Sequence, residues 1–346
     1  MVSPSILFRC DGSPKIGFGH VVRCLALADE LRDVHGCDVS FAMVEATAGC
    51  SMAEAKGYRV LAADGDTLSA NYAGWLKASV DEAKARGLIL DIRDDLPLCA
   101  IRSLQEKGCI IATIDDPSER RLFADLAFYP PSPQIRRMNW AGFSGDLHVG
   151  WEWVILRREF SHPLKREVHE PPVVLVTMGG SDPFGLTLKA VQALDLLDDD
   201  FKSLVLLGPG FLHQKALNDR VSKAHRKFHL LSGVKDIPDL MAQADLALGS
   251  FGVTAYELAA MGVPGIYMCL TEDHVQSASA FVEAGMGGCV GLHNQVSEET
   301  LSSAFGRLIK NRARWSEMSA ACAKNVDGRG ARRVADIIAS RIIYGN

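Results

Sequence analysis

The stretch "ILFRCDGSPKIGFGHVVRCLALADEL", residues 6–31, decides how the rest of the chain is read. Ile6–Arg9 is a short apolar run and predicts a buried strand. From His20 to His35 the pattern predicts a helix, and the loop joining the two is glycine-rich, with Gly17 and Gly19 just before His20. Strand, glycine loop and helix open a βαβ unit. In open α/β sheets a ligand binds beyond the carboxyl ends of the strands, where this loop lies.

The loop is not a dinucleotide fingerprint, because Val22 stands where the third glycine would be, and no P-loop Lys-Ser/Thr follows. It does let a ligand approach the backbone at Gly17 and Gly19. His20 falls in the first turn of the helix, whose partial positive charge disfavours an imidazolium. A neutral imidazole can take a proton from water or a hydroxyl. It can equally do no more than hydrogen-bond a neighbouring loop. Arg9 and Asp11, at the strand's end, either hold the loop or touch substrate, with loop support the preferred role.

Further strands are predicted at Asp38–Met43, Leu88–Asp91 and Ile110–Ile114, and helices at Gly49–Lys56 and Leu96–Lys107. The proline-rich residues 126–146 read as irregular surface chain, and the polar residues 162–172 as a linker. The pattern then starts over. "VVLVTM" predicts a strand, followed by the loop "GGSDPFG" and a helix. Strand "SLVLLG", a polar helix to about Phe228, strand "HLLSG", helix "IPDLMAQA" and strand "LALGS" come next. Residues 251–269 add a loop, a helix and a last strand. The expectation is two doubly wound Rossmann-like α/β domains with a cleft between them. They span residues 1–160 and 173–330, with a C-terminal helix at 331–346 returning to the first.

Two loops of the second half are built for a phosphate. In "MGGSDPFG", Gly179 and Gly180 allow close backbone approach, and Ser181 and the following helix start supply donors. The plain alternative is a tight turn capped by Ser181 or Asp182. In "GSFGVTAYELAAMGVP", Ser250, Gly252 and Val253 lie at a helix start. Thr254 and Glu257 have the spacing of a capping box. An acidic residue over a ligand crevice can instead take a ribose's two hydroxyls, which makes Glu257 a nucleotide candidate.

Composition narrows the class. The chain has 346 residues, 48% hydrophobic, and a net charge of -5, which gives no basic stripe for nucleic acid. Nine cysteines lack C-x-x-C spacing and suit a reducing compartment. No apolar run approaches the ~20 residues of a membrane helix, so a cytoplasmic protein without a transmembrane segment is expected. Asp91, Asp94 and Asp95 cluster in sequence, as do Asp115 and Asp116. A diphosphate already served by helix ends and backbone donors needs no metal, and no cofactor is expected.

These stretches together resemble a sugar-nucleotide family. "RCDGSPKIGFGHVVRCLALADEL" resembles the R-x-D-x(5)-G-x-G-H-x-x-R-C opening of the UDP-sugar hydrolases of pseudaminic acid synthesis and of the related spore-coat polysaccharide biosynthesis proteins. "TIDDPSERRLFADLAF", "GWEWVILRREF", "VTMGGSDPFGLT" and "TAYELAAMGVP" are similar to further segments of that family. The resemblance implies the two-domain B-type glycosyltransferase fold, with nucleotide on the C-terminal domain. It implies His20 as the base activating water and Glu257 as the ribose ligand.

Two departures touch the sugar pocket. Asp91-Ile92-Arg93 stands for the family's Asp-x-Tyr, and Asp273-His274-Val275 for its Asp-Asn-Gln. Arg93 and His274 thereby become candidate substrate contacts, His274 being as readily a solvent-facing loop histidine. The expected activity is release of an amino-deoxy sugar from its nucleotide by water. The alternatives are a glycosyltransferase acting on a glycan, protein or lipid acceptor, and a non-catalytic sugar-nucleotide-binding subunit.

Overall fold

The structure is a computed structural model and describes residues 3–13, 17–44, 47–162 and 166–345. The chain forms two compact units. Unit 1 takes residues up to 131, 135–158 and those from 329 on, and unit 2 takes 132–134 and 159–328. Each is an α/β unit of the Rossmann type.

Unit 1 begins β1 (Ser5–Cys10), α1 (Gly19–His35), β2 (Asp38–Val44), α2 (Ala48–Ala55), β3 (Arg59–Ala63) and α3 (Gly65–Ala83). It goes on through β4 (Gly87–Asp91), α4 (Leu98–Glu106), β5 (Ile110–Ile114) and β6 (Leu126–Tyr129). A short α5 (Pro133–Arg137) and β7 (Asp146–Val149) follow. The seven strands are parallel in the order β3-β2-β1-β4-β5-β6-β7. Winding therefore reverses between β1 and β4, which opens a crevice at their carboxyl ends. The register sets Cys10 opposite Asp91 at that point.

Parallel strands covered on both faces need near-continuous apolar runs, which β1 and β4 supply. α1 stops where Gly36 adopts the left-handed conformation (φ 65°) and its N–H returns to the Arg32 carbonyl.

Unit 2 runs β8 (Val173–Thr177), α6 (Leu186–Asp195), β9 (Lys202–Leu207), α7 (Gln214–Val221), β10 (Phe228–Ser232) and α8 (Ile237–Ala242). Then come β11 (Leu246–Ser250), α9 (Val253–Ala260), β12 (Gly265–Cys269), α10 (Glu272–Glu283), β13 (Gly287–Leu292), α11 (Glu298–Ile309) and α12 (Arg312–Asn325). Its parallel order is β10-β9-β8-β11-β12-β13, with the reversal between β8 and β11. The last helix, α13 (Gly330–Tyr344), belongs to unit 1 and buries Val334, Ile338 and Ile342 in the core that holds Ile6, Phe8 and Leu27.

Three sequence expectations change. Residues 126–146 are not wholly irregular, since they contain β6 and the start of β7. These strands are four residues long, too short for periodicity; β6 forms by pairing with β5, and β7 by pairing with β6. The polar helix near 214–228 ends at Val221, and Phe228 already starts β10. Of the expected linker, residues 163–165 lie outside the described residues. The remainder is held on unit 2. Arg166 donates to the Ala244 carbonyl at 2.7 Å, and His169 Nδ1 lies 3.1 Å from the Asp245 carboxylate.

Ile338 is fully buried, so Ile338→Ala removes packed methyl groups where α13 meets this core. The expected cost is about 2–5 kcal/mol of stability, read as a lower urea midpoint with unchanged far-ultraviolet circular dichroism at low denaturant.

Candidate functional site

Each sheet's reversal point carries a cluster of polar groups, and the two are described separately. In unit 1 the β1–α1 loop closes on itself where Ser13 N–H donates to the Gly17 carbonyl at 3.2 Å. Gly17 has φ 82°, a conformation natural to glycine. Residues 14–16 of this loop lie outside the described residues. Helix α1 starts at Gly19 after Phe18, without a side-chain cap and without an acidic residue in its first turn. Its N-terminal charge is therefore not compensated locally.

His20, Arg23 and Cys24 follow at i, i+3 and i+4, so one face of α1 presents all three. They converge on Asp91, the last residue of β4. His20 Nδ1 lies 2.6 Å from Asp91 Oδ1, and Arg23 donates from Nε and Nη2 to both carboxylate oxygens at 2.5 Å. The Cys24 thiol adds a contact at 3.5 Å to Oδ2.

Asp91 has a relative exposure of 1%, and burial by itself would favour the neutral acid. The Arg23 guanidinium and the His20 imidazole outweigh that and hold the carboxyl well below the usual carboxylate range. In a neutral imidazole, an ionised acceptor at Nδ1 fixes the tautomer with the proton on Nδ1 and leaves the lone pair on Nε2. The His20 side chain keeps 24% of its surface exposed, so it reaches solvent as its partner does not.

Around this dyad the other candidates separate into two groups. Arg9 is fully buried and its donors are taken by Tyr72 Oη (2.7 Å), Asp11 Oδ2 (2.5 Å) and Asp94 Oδ2 (2.8 Å). Asp11 also accepts the Val44 N–H at 2.8 Å. Arg9 and Asp11 therefore brace the ends of β1 and β2, and Arg9 is closed to a ligand.

Asp116 and Arg120 form a second buried pair at 3.0 Å, with Arg120 also donating to the Asp94 carbonyl at 2.6 Å. Arg93, by contrast, is exposed and donates to Asp115 Oδ2 at 3.0 Å, while Arg23 Nη1 approaches the same carboxylate at 3.6 Å.

In unit 2 the β8–α6 and β11–α9 loops leave adjacent strands and come together. A Cβ built on Gly179 (φ 77°) would stand 3.9 Å from Thr254 Oγ1. One on Gly208 would fall 2.4 Å from the Gly179 and Gly180 carbonyl oxygens, so the β9 exit packs backbone to backbone on this loop. Gly180 and Ser181 lie beside it, Ser181 buried.

The two helix starts differ. Asp182, at φ 43°, accepts the Leu186 and Thr187 N–H groups at 2.7 and 2.9 Å, so the N-terminus of α6 already carries its anion. That corrects the expectation that this helix start supplies phosphate donors. α9 begins after Gly252 with no side-chain cap. Thr254 is the second residue of α9 rather than its cap, which removes the capping-box reading. Glu257 is buried in the helix's second turn, not its first.

Ser250 ends β11, Val253 opens α9, and both line the same turn. His274 is on the first turn of α10, half-buried, its ring centroid 6.5 Å from that of Phe251; it is not a solvent-facing loop residue.

Asp91 and Arg23 are the site residues that the sequence reading did not single out as His20's partners. The available signals were the i, i+3 spacing from His20 and the place of Asp91 at the end of a strand. Only the β1–β4 pairing brings them together. Among the described residues no group of three or more His, Cys, Asp or Glu is placed to hold a metal ion, and no helix is long and apolar enough to cross a membrane.

Removing the Asp91 charge leaves Arg23 with only the more distant and partly exposed Asp115 carboxylate. Asp91→Asn is expected to cost about 3–5 kcal/mol at pH 7. Because the folded protein lowers this pKa, the stabilisation is complete above the unfolded value of about 3.9 and is lost as pH falls toward the folded one. Urea unfolding at pH 7 and pH 3 should show the gap between wild type and variant narrowing in acid.

Comparison with known proteins agrees with this architecture. Residues 173–334 match the glycosyltransferase family 28 C-terminal domain. The spore coat polysaccharide biosynthesis protein SpsG of Bacillus subtilis is 28% identical over 56% of this chain and 58% of its own length. The UDP-2,4-diacetamido-2,4,6-trideoxy-beta-L-altropyranose hydrolase of Campylobacter jejuni is 27% identical over 55% and 65% respectively. The chain thus spans less than two thirds of the length of these curated relatives.

Among solved structures, MurG of Acinetobacter baumannii superposes with a TM-score of 0.70 at 15% identity, over 97% of this chain and 99% of that one. The MnaA–UDP structure from S. aureus gives 0.67 at 14%, over 98% and 97%. These establish the fold. In sequence the chain is similar to the spore-coat polysaccharide protein and the UDP-sugar hydrolase over 56% and 55% of its length, on a two-domain α/β fold shared with MurG.

Proposed function

We propose that this chain is an enzyme of surface-polysaccharide biosynthesis that hydrolyses a nucleotide-activated amino-deoxy sugar at the anomeric carbon. The observation that carries the reading is the 2.6 Å contact between His20 Nδ1 and a buried, ionised Asp91 at the reversal point of the first sheet. His20 Nε2 takes a proton from water, and the water oxygen bonds to the anomeric carbon. The bond from that carbon to the diphosphate oxygen breaks, with inversion. Asp91 holds the imidazole in the required tautomer and stabilises the imidazolium that forms, the role a carboxylate plays behind any histidine base. Arg93 and Asp115 contribute polar contacts to the sugar.

Unit 2 binds the nucleotide. The uncapped start of α9, at Gly252, Val253 and Thr254, and the backbone of Gly179 and Gly180 take the diphosphate and stabilise it as leaving group. Glu257 takes the ribose hydroxyls, and Ser250, Ser181 and His274 flank the diphosphate. The hydrolase relative supports water as nucleophile. The family 28 match over 173–334 supports a second reading, in which His20 deprotonates an acceptor hydroxyl.

Incubation with UDP- and CMP-linked amino sugars in oxygen-18 water, without acceptor, separates them. Free sugar labelled at the anomeric oxygen, with unlabelled nucleotide, is the expected product. Nucleotide release only on adding a glycan, protein or lipid acceptor would replace hydrolysis by transfer. His20→Ala should lower turnover by about 10²–10⁴-fold while retaining nucleotide binding. Wild-type rates in that variant would sink both base-catalysis readings. Glu257→Ala should weaken UDP binding by roughly tenfold, about 1.4 kcal/mol, measured by titration calorimetry.

A further inference from the structure

Cys269 ends β12 and Cys289 lies on β13, the neighbouring parallel strand, and their sulfur atoms stand 3.4 Å apart. Cys269 is fully buried and Cys289 half-buried, so Cys289 is the more accessible residue of the pair. The strand register slips between Tyr267 and Cys269, and Gly291, two residues beyond Cys289, has φ 98°. The ladder is therefore irregular where the two thiols meet. Cys289 also accepts the Gly291 N–H at 3.4 Å. The Cys269 thiol hydrogen bond, against the effect of burial, and the Gly291 N–H lower the Cys289 pKa. The same contact with Cys289, together with burial, raises that of Cys269.

We propose that Cys269 and Cys289 are a redox pair that closes to a reversible disulfide in response to a hydroperoxide. The Cys289 thiolate attacks the peroxide oxygen. The O–O bond breaks, an alcohol or water leaves after taking a proton, and Cys289 becomes a sulfenic acid. The Cys269 sulfur then attacks the Cys289 sulfur, its thiol proton leaves with the hydroxide as water, and the S–S bond forms. Two thiols give up two electrons and the hydroperoxide is reduced. Closure draws the sulfurs from 3.4 Å to about 2.05 Å.

That movement falls on a junction. The Cys269 carbonyl accepts the His293 N–H at 2.9 Å, and the His293 ring packs on Phe184 of the β8–α6 loop with centroids 4.4 Å apart. Two residues after Cys269, Thr271 caps α10, the helix that carries His274. The bond thus changes the seat of α10's first turn and of the β13 exit.

The test is tandem mass spectrometry of the whole chain after hydrogen peroxide, with hydrogen exchange in parallel. A linked pair of peptides containing Cys269 and Cys289, separated again by dithiothreitol and absent from Cys289→Ser, is expected. So is altered amide exchange at residues 270–275 in the oxidised wild type. Cys289 over-oxidised to sulfinic acid while Cys269 still alkylates would overturn the pair, and a bond with unchanged exchange would overturn the coupling to α10. A thermal melt of Cys289→Ser matching wild type shows that the variant folds. Neither readout depends on nucleotide or turnover, so failure here and failure of the proposed activity are distinguishable.

Discussion

Asp91 is an ionised carboxylate from which water is excluded, and a charge in that position must be matched by its immediate neighbours. Two of them, Arg23 and His20, come from one turn of α1, which requires that the β1–α1 connection bring the helix start down against the end of β4. The glycine at 17 and the bracing of Arg9 by Asp11, Asp94 and Tyr72 follow from the same requirement. The charge match and the fold's reversal point coincide, so His20 stands where the sheet leaves room for a ligand.

Unit 2 solves a different problem with similar parts. Both of its crevice loops end in a helix start, yet a helix N-terminus satisfied by a carboxylate has little left for an incoming anion. Asp182 fills that role for α6, whereas the residue before α9, Gly252, has no side chain to fill it. The difference separates a rigid turn from a candidate anion site within one pair of adjacent loops. The close backbone packing of Gly208 on the Gly179 and Gly180 carbonyls is a separate constraint, since a side chain at Gly208 would hold the loops apart.

Much of the fold was legible because parallel strands buried on both faces must be apolar runs, and because glycines and prolines punctuate them. Ile6–Arg9, Leu88–Asp91, Ile110–Ile114 and Val173–Met178 all became strands within a residue or two. The illegible parts were those in which the residues themselves carry little pattern. β6 and β7 are too short to alternate, and exist because β5 offers an edge to β6 and β6 in turn offers one to β7. Arg166 and His169 read as polar linker because polarity alone does not reveal that carbonyls and a buried Asp245 are waiting for them. The capping-box reading of Thr254 and Glu257 failed because spacing fixes only which residues share a helix face, not where the helix begins.

The sequence by itself determined two doubly wound units, the loops at which ligands would approach, and His20 as the residue whose chemistry asks for an explanation. Each of these follows from local patterns that span fewer than twenty or so residues of chain. Only the tertiary structure decided that Asp91, seventy-one residues away, orients His20 and that Arg23 balances it. It also withdrew Arg9 from any ligand and gave the N-terminus of α6 to Asp182. Those outcomes depend on strand register and on which charges lose their water, and both are properties of the packed molecule that no local stretch of sequence contains.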